Sequence, residues 1–279
     1  MPAVSALLVL GTDRLGSGAE ARTLLAHAAR VEPSRLALLD DLPDALAAEY
    51  GALLERRAAG EPVQYLTGRA WFRTVGVAVA PGVFIPRPET EVMTGWAIDR
   101  LRELPGEPLV VELCAGSGAI SAAIAAERPG CRQYAVELSA EAAPLAERNL
   151  AGSGVVFVEG DMADAFGELD GTVDLVIANP PYIPLEAWEH VAVDVRTHEP
   201  DLALFSGADG LDALKVVAQV AARLLRPGGW VCAEHAEVQS AAVVDVFATT
   251  GAFAQVADHP DYNDRPRYVT AVRAGKLAG

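Results

Sequence analysis

Residues 173–182 read Val-Asp-Leu-Val-Ile-Ala-Asn-Pro-Pro-Tyr, an apolar run followed by a stiff polar turn. The apolar run predicts a buried parallel strand that ends at Ala178. The two prolines fix φ and remove two backbone donors, so the carbonyl groups of the turn are free to accept hydrogen bonds. Asn179 adds a side-chain amide and Tyr182 adds an aromatic face. The turn can therefore hold a planar group that carries an –NH2, but a plain structural turn can have the same four residues.

The chain on both sides of this stretch alternates short apolar runs with helical segments from residue 108 onward. Strands are predicted at residues 109–113, 132–137, 155–158, 173–178, 230–234, 254–257 and 268–272. Such alternation predicts a parallel sheet that is covered by helices on both faces and connected by right-handed crossovers. Only a loop separates the last two strands, so we expect them to pair as a hairpin. The result is a seven-stranded sheet with one antiparallel strand.

The first part of the chain has a different pattern, with helices and no strands. The segment from Ser17 to Glu20 has the spacing of a capping box, which marks the start of a helix. Leucines and alanines at helical spacing follow, and they are typical of a packed core. We therefore expect a helical bundle over residues 1–70, a β-hairpin linker over 71–90 and an α/β domain over 91–279.

The overall composition is that of a globular protein with an acidic surface. The 279 residues are 51% hydrophobic and 22% charged, which is enough to bury a large core. The net charge of −16 disfavours a nonspecific grip on nucleic acid, because such a grip requires many lysines and arginines. The three cysteines have no metal-ligand spacing and form no even framework, which predicts a reducing compartment.

The start of the chain and its apolar runs bear on location. The first residues lack the basic region of a signal peptide. No apolar run reaches the ~18 residues that a membrane-spanning helix requires. We therefore expect a soluble, cytoplasmic protein with no membrane partner.

A glycine-rich turn follows the first predicted strand of the sheet, where residues 114–118 read Cys-Ala-Gly-Ser-Gly. Glycines let a ligand approach the backbone closely, although this turn lacks the third glycine of the dinucleotide fingerprint and the lysine of a P-loop. Glu137 ends the second strand, where an acid can accept hydrogen bonds from both ribose hydroxyls of a nucleoside. Asp161 and Met162 follow the third strand, where they can hold an adenine amino group and its face. Ligands of open α/β sheets bind beyond the carboxyl ends of the strands, so these residues predict a nucleoside site.

Together these features resemble the class I S-adenosylmethionine-dependent methyltransferases. The narrower resemblance is to protein-glutamine methyltransferases of the HemK/PrmC type, which modify peptide chain release factors. It covers nearly the whole chain and rests on the helical first domain, the glycine turn, the Asn-Pro-Pro-Tyr tetrad and the segments at residues 61–68, 85–91, 194–200 and 261–267. The tetrad alone is shared with adenine and cytosine amino methyltransferases. The Pro-Arg-Pro-Glu-Thr sequence of residues 86–90 and the helical domain point to release factors.

The resemblance implies a fold, a reaction and a site. The fold is a seven-stranded, mostly parallel Rossmann-like methyltransferase sheet with a small N-terminal all-helical domain that is joined by a β-hairpin. The reaction moves a methyl group from S-adenosyl-L-methionine to the side-chain amide nitrogen, N5, of a glutamine in release factors, which tunes translation termination. The cofactor residues that the resemblance implies are Cys114, Ala115, Gly116, Ser117, Gly118, Glu137, Met162 and Asn179. We add Asp161, because it follows the third strand at the same edge of the sheet. The substrate residues are Asn179, Pro180, Pro181 and Tyr182, of which Asn179, Pro180 and Tyr182 are catalytic.

Three residues of the cofactor site depart from the usual pattern of the family. Cys114 and Ala115 stand where the family commonly has Gly-Thr, and Met162 stands where an aromatic residue often covers the adenine. A methionine packs on a base more softly than an aromatic ring does.

Three acids near residue 200 could form a metal site on paper, namely Asp194, Glu199 and Asp201. Their spacing matches no standard pattern of metal ligands, so we predict no metal.

Other functions stay open at this stage. A glutamine methyltransferase of a ribosomal protein would use the same tetrad, although residues 86–90 favour release factors. An amino methyltransferase of DNA or RNA is disfavoured by the pI near 4.7 and the lack of a basic stripe. A scaffold protein without activity is disfavoured by the intact glycines, ribose acid and tetrad. We expect the N-terminal helices to help dock the release factor, because they carry no catalytic cluster of their own.

Overall fold

The computed structural model describes residues 1–275, which form eleven α-helices and nine strands within that range. Helices α1 to α11 span Val4–Leu15, Gly18–Ala29, Asp44–Ala58, Val63–Thr67, Pro88–Glu103, Ala119–Glu127, Ala143–Leu150, Val193–His198, Asp201–Leu204, Asp212–Leu224 and Ser240–Thr249. Strands β1 to β9 span Arg69–Phe72, Val75–Ala78, Leu109–Leu113, Arg132–Glu137, Val156–Glu159, Val173–Ala178, Leu225–Glu234, Phe253–Pro260 and Pro266–Arg273. Short 3-10 helices span Pro33–Leu38, Gly167–Leu169, Leu185–His190 and Glu237–Gln239.

These elements fall into two compact units. The first comprises Met1–Arg69 together with Val193–His198, and the second comprises Ala70–Ala192 together with the described residues from Glu199 onward. No helix within residues 1–275 is both long enough and apolar enough to cross a membrane.

The first unit is a helical bundle around an apolar core. Ser17 caps α2 as its spacing predicts, because its Oγ accepts a hydrogen bond from the Glu20 backbone N–H at 3.3 Å. The Glu20 carboxylate in turn pairs with Arg57 of α3 at 2.9 Å. The core between the helices is lined by Leu24, Leu25, Leu36, Leu42, Tyr50 and Leu54.

A close helix contact within this unit depends on a glycine. A Cβ atom on Gly11 of α1 would lie 1.8 Å from the hydroxyl oxygen of Tyr50 of α3. Tyr50 is fully buried, and its hydroxyl has no hydrogen-bond partner among the described residues. Burial raises the pKa of this phenol to about 12. The missing side chain at position 11 therefore gives the tyrosine hydroxyl its space.

The second unit contains the predicted seven-stranded sheet, in the order β5-β4-β3-β6-β7-β9-β8. Strands β3 to β7 pair in parallel, whereas β9 runs antiparallel to both of its neighbours. Strands β1 and β2 form a separate two-stranded sheet that precedes α5 in the chain. This architecture confirms the predicted fold class, including the terminal hairpin and the β-hairpin after the N-terminal helices.

The order of the strands changes direction at β3, which lies between β4 and β6. Leu113, the last residue of β3, pairs with Val136 of β4 and with Ala178 of β6. Ala178 also pairs with Ala233 of β7. The ends of four neighbouring strands are therefore level with one another at the carboxyl edge, which is where open α/β sheets bind ligands.

Several predicted strand bounds differ from those of the structure, and the largest difference is in the fifth strand of the large sheet. The fifth strand of the large sheet was expected at residues 230–234, but β7 begins at Leu225. Leu225 pairs with Val173, and after a register shift the regular pairing resumes between Leu175 and Trp230. The Pro-Gly-Gly sequence at residues 227–229 is thus an irregularity inside the strand, although such residues usually indicate a turn.

A buried carboxyl joins β3 to the helix that follows it. Glu112 is 1% exposed, and its Oε2 accepts hydrogen bonds from the backbone N–H and the hydroxyl of Ser121 in α6. Burial is the main reason why the pKa of Glu112 is raised to about 8, and the charge of Glu137 acts in the same direction. The two hydrogen bonds from Ser121 lower this pKa but do not offset the burial. The Glu112 side chain therefore connects β3 to α6.

Replacing Gly11 by alanine should lower the free energy of unfolding by about 1–3 kcal/mol, because the new methyl group overpacks against Tyr50. The cost should shrink in a Tyr50→Phe background, where the nearest ring atom lies 3.0 Å from the added Cβ. Urea unfolding of the wild type, the two single variants and the double variant measures the coupling energy between positions 11 and 50.

Gly51→Ala in α3 is the control, because a Cβ atom added there would meet nothing within 4 Å. That change should stabilise the helix by up to about 1 kcal/mol. An equal cost of Gly11→Ala in both backgrounds would contradict the contact.

Glu112→Gln should make the stability of the protein less dependent on pH. The folded carboxyl keeps its proton up to a pKa of about 8, whereas an unfolded glutamate loses it near 4.5. The unfolded chain therefore binds fewer protons across this window, so stability falls as the pH rises through it. The glutamine variant does not titrate, so it should remove up to about 1.4 kcal/mol per pH unit from that slope. Urea unfolding across the window measures the slope, and the surface change Glu168→Gln should leave it unaltered.

Candidate active site

Four side chains follow one another along the carboxyl edge of the sheet. Glu137 ends β4, Cys114 follows β3, Asn179 follows β6 and Glu234 ends β7. The strand pairing described above sets this order. It brings together three of the residues predicted from the sequence, and it adds Glu234, which the sequence analysis did not select.

The glycine-rich turn after β3 is tightly wound and open on one side. Cys114, Gly116 and Gly118 all have positive φ, at 59°, 55° and 76°. A Cβ atom on Gly116 would meet nothing within 4 Å, whereas one on Gly118 would lie 3.0 Å from the Leu150 side chain. Gly116 therefore offers space for a ligand beside the backbone, and Gly118 allows close packing. The side chains of Ala115 and Ser117 are buried.

Glu137 connects the glycine turn to the loop after β4. Its Oε2 accepts a hydrogen bond from the Gly116 backbone N–H at 2.7 Å, and its Oε1 accepts one from the Ser139 N–H at 2.8 Å. A carboxylate has about four lone-pair positions, so each oxygen can accept a further bond. The acid thus orders the turn and keeps acceptor capacity for hydroxyl groups.

The two sulfur-containing residues of the predicted cofactor site lie in contact. Cys114 Sγ is 3.6 Å from Met162 Sδ, and Met162 packs against the core of the second unit. Burial, followed by the charge of Glu137, raises the pKa of the Cys114 thiol far above its usual range. Asp161 is exposed, and its Oδ1 accepts a hydrogen bond from the Ala163 N–H at 2.9 Å.

The Asn-Pro-Pro-Tyr tetrad is held at both ends by side chains that are distant in sequence. Asn179 Nδ2 donates a hydrogen bond to Thr90 Oγ1 at 3.1 Å. The Tyr182 hydroxyl donates to Glu234 Oε1 at 3.0 Å. Burial and then the charge of Glu234 raise the pKa of the Tyr182 phenol well above its usual value. Pro180 is buried, and Pro181 is half-buried.

The backbone of the tetrad has a further support. Gln239 donates from Nε2 to the Tyr182 carbonyl oxygen at 2.8 Å and to the Asp209 carbonyl oxygen at 3.1 Å. Gly210 lies directly beside this point, with φ of 76°, and a Cβ atom there would be 2.2 Å from the Tyr182 oxygen. A glycine at position 210 therefore lets the next loop approach the tetrad.

The segment at residues 85–91 contacts Glu199 through an ion pair and a backbone hydrogen bond. Arg87 forms an ion pair with Glu199, which is 5% exposed, and the guanidinium lies 4.9 Å from the Phe84 ring centroid. Glu199 Oε2 also accepts a hydrogen bond from the Ile85 N–H at 3.4 Å. Glu199 was one of the three acids considered as metal ligands. Across residues 1–275, no group of three or more His, Cys, Asp or Glu side chains is placed to hold a metal ion.

Some residues around the site were missed by the sequence analysis. Glu234 could have been found, because it ends a predicted strand in the same way as Glu137. Thr90 lies inside the Pro-Arg-Pro-Glu-Thr segment, but its contact with Asn179 spans 89 residues. Gln239 and Gly210 carry no signal in the sequence, since their roles depend on the position of the tetrad backbone.

Comparisons with known proteins identify relatives of the whole chain. Residues 10–68 match the family model "PrmC N-terminal domain", and residues 77–196 match the model "Methyltransferase small domain". A protein of Streptomyces coelicolor named release factor glutamine methyltransferase is 52% identical over 238 residues, which cover 85% of either chain. A protein of Streptomyces pristinaespiralis named 4-amino-L-phenylalanine/4-methylamino-L-phenylalanine methyltransferase is 42% identical over 261 residues, covering 91% of this chain and 87% of the relative.

A solved structure supports the fold separately from these sequence relatives. The crystal structure of a methyltransferase from Pyrococcus furiosus matches 71% of this chain and 89% of its own, with a TM-score of 0.52 and 18% identity. The shared fold is that of the methyltransferase sheet. The relatives and the N-terminal family model lead to a narrower assignment: the chain belongs to the release factor glutamine methyltransferase family.

Proposed function

We propose that this protein transfers a methyl group from S-adenosyl-L-methionine to the N5 amide nitrogen of a glutamine in peptide chain release factors. The observation that carries the proposal is the position of the Asn-Pro-Pro-Tyr tetrad beside the open glycine turn. Leu113 and Ala178 are paired, so Cys114 and Asn179 leave the sheet side by side. A group that binds at the turn and a group that binds at the tetrad would therefore be neighbours.

The residues around the turn fit the chemistry of the proposed cofactor. Gly116 leaves room for a ligand beside the backbone, and Glu137 has acceptor capacity for ribose hydroxyls. Met162 offers an apolar, polarisable surface for the adenine face. Asp161 is exposed and can accept from the adenine amino group. S-adenosylmethionine, when bound, supplies an electrophilic methyl group on a sulfonium centre.

The tetrad fits a planar amide as the acceptor of that methyl group. An amide nitrogen is a weak nucleophile because it shares its lone pair with the carbonyl group. The Asn179 Oδ1 and the Pro180 carbonyl oxygen would accept hydrogen bonds from the substrate –NH2, which orients the nitrogen and stabilises the positive charge that it gains. Tyr182 would pack on the amide plane, with its ring held by the bond to Glu234. The proton can leave to water after methyl transfer.

The proposal assigns separate tasks to the parts of the chain. Residues 91–279 carry the chemistry, residues 71–90 link the domains, and residues 1–70 help dock the release factor. The match of residues 10–68 to the "PrmC N-terminal domain" model supports a task for the helical unit that is shared within the family. Release factors act during translation, so the proposal includes a cytoplasmic location.

A specific observation favours a second candidate function. The Streptomyces pristinaespiralis relative is 42% identical to this chain, and its name gives 4-amino-L-phenylalanine and 4-methylamino-L-phenylalanine as what it methylates. An arylamine also presents a planar –NH2, so the tetrad suits both substrates. The higher identity of 52% to the Streptomyces coelicolor protein favours the release factor.

Mass spectrometry of a purified release factor after incubation with this protein and S-adenosylmethionine tests the function. We expect one added methyl group, mapped by fragmentation to a single glutamine side chain. Replacing that glutamine by alanine in the release factor should abolish the gain. A parallel incubation with 4-amino-L-phenylalanine tests the second candidate. Methylation of that amino acid without methylation of the release factor would overturn the first proposal in favour of the second.

Asn179→Ala should separate catalysis from cofactor binding. Loss of the acceptor that orients the substrate –NH2 should lower kcat by about a hundredfold or more. The affinity for S-adenosylmethionine, measured by calorimetry, should change much less, because the glycine turn and Glu137 are intact. Equal losses in turnover and in cofactor affinity would show that Asn179 serves the cofactor and not the substrate.

A further inference from the structure

A chain of hydrogen bonds runs from Asn179 to a buried carboxylate through a threonine hydroxyl. Asn179 Nδ2 donates to Thr90 Oγ1 at 3.1 Å, and Thr90 Oγ1 donates to Glu234 Oε2 at 2.7 Å. Thr90 is 3% exposed and Glu234 is 1% exposed. The other oxygen of Glu234 accepts from the Tyr182 hydroxyl at 3.0 Å. Both ends of the tetrad are therefore connected to one carboxylate.

The direction of these hydrogen bonds determines which edge of the Asn179 amide faces Thr90. Both Glu234 oxygens accept hydrogen bonds from hydroxyl groups, and a hydroxyl has one proton to donate. When Thr90 gives that proton to Glu234, its oxygen has only lone pairs left for Asn179. The Asn179 –NH2 edge must then face Thr90, and its Oδ1 points away from the threonine. A flipped amide would place two oxygens together without a proton between them.

We propose that Thr90 and Glu234 are positioning residues that set the orientation of the Asn179 amide, so that its oxygen is presented to the substrate –NH2. The inference rests on the proposed function, because it concerns the same acceptor oxygen. It adds two residues, from α5 and β7, that do not touch the substrate. Their effect on catalysis is exerted through the amide of Asn179.

The surroundings of Glu234 act on its pKa in opposite directions. Burial raises the pKa of Glu234, and the charge of Glu89 acts in the same direction. The hydrogen bonds from Thr90 and Tyr182 and the charge of Arg267 lower it. Across the β7–β9 ladder the residue opposite Glu234 is Tyr268. The next residue of the chain, His235, is directed elsewhere, with its Nε2 at 2.9 Å from Asp258.

Helix α5 provides a matched pair of threonines for the experiment. Thr94 lies one turn after Thr90 and is also fully buried, but its hydroxyl donates to the Thr90 backbone oxygen at 2.9 Å. Thr94→Val therefore removes a buried hydroxyl without breaking the chain to Asn179. Thr90→Val removes the connecting hydroxyl at nearly constant volume, and Thr90→Ser restores it.

The first measurement is steady-state kinetics with the release factor as substrate. Thr90→Val should lower kcat by between about tenfold and a hundredfold, because a misoriented acceptor misplaces the reacting nitrogen. Thr90→Ser and Thr94→Val should stay within about threefold of the wild type, which is less than 1 kcal/mol in activation free energy. The affinity for S-adenosylmethionine should be similar in all four proteins. A kcat for Thr90→Val as high as that of Thr94→Val would overturn the inference.

The second measurement needs neither substrate nor cofactor. The side-chain amide signals of Asn179 in a 1H–15N spectrum can be assigned by their loss in Asn179→Asp. In Thr90→Val these signals should shift and exchange faster with solvent, whereas Thr94→Val should leave them in place. Glu234→Gln, which replaces one acceptor oxygen of the carboxyl group by an –NH2 at constant shape, should also shift them and serves if Thr90→Val does not fold. Unchanged Asn179 signals in the folded variants would overturn the inference.

The two measurements separate this inference from the proposed function. If the wild-type protein methylates no release factor but the Asn179 signals respond as expected, the positioning role stands and the proposed substrate is wrong. If the wild-type protein methylates the release factor but Thr90→Val retains its kcat, the proposed function stands and the positioning role is wrong.

Discussion

The hydrogen bonds between β3 and β6 place the glycine turn beside the Asn-Pro-Pro-Tyr tetrad, and the rest of the candidate site is built around these two segments. Leu113 and Ala178 are paired, and the same register continues outward to Val136 and Ala233. A slip of one residue would turn each following side chain to the opposite face of the sheet. Such a slip would turn the buried carboxyl group of Glu112 away from its Ser121 donors and would misplace the apolar side chains that pack on both faces of β3, which is buried throughout. The position of the site is thus a product of core packing.

Three glutamates in this sheet show how one residue type acquires different tasks from its surroundings. Glu112 lies inside a strand, where burial favours its protonated form and its bonds go to a helix. Glu137 lies at a strand end and accepts backbone N–H groups on both oxygens. Glu234 is as buried as Glu112, but two hydroxyls donate to it. The number and kind of donors determine what each carboxyl can do.

The sequence alone predicted the strands, their mostly parallel arrangement and most of the residues at the carboxyl edge, because apolar periodicity and turn chemistry are local signals. It did not predict that β7 begins at Leu225, since an irregular Pro-Gly-Gly segment inside a strand has the same local sequence signal as a turn. It also missed Thr90, Gln239 and Gly210. Their roles come from contacts that only the folded sheet creates, such as the bond between Thr90 and Asn179 across 89 residues.

A reactive thiol at position 114 would compete with the substrate for the methyl group of the proposed cofactor. A sulfonium methyl donor alkylates good nucleophiles, and a thiolate is a far better nucleophile than an amide nitrogen. Cys114 stands in the turn that would hold this donor, yet burial and the neighbouring carboxylates raise the pKa of its thiol far above the usual range. The thiol is therefore kept in its protonated, weakly nucleophilic form. With the proposed donor bound, burial and, to a smaller extent, the carboxylates that suit a nucleoside would thus keep this thiol from taking the methyl group.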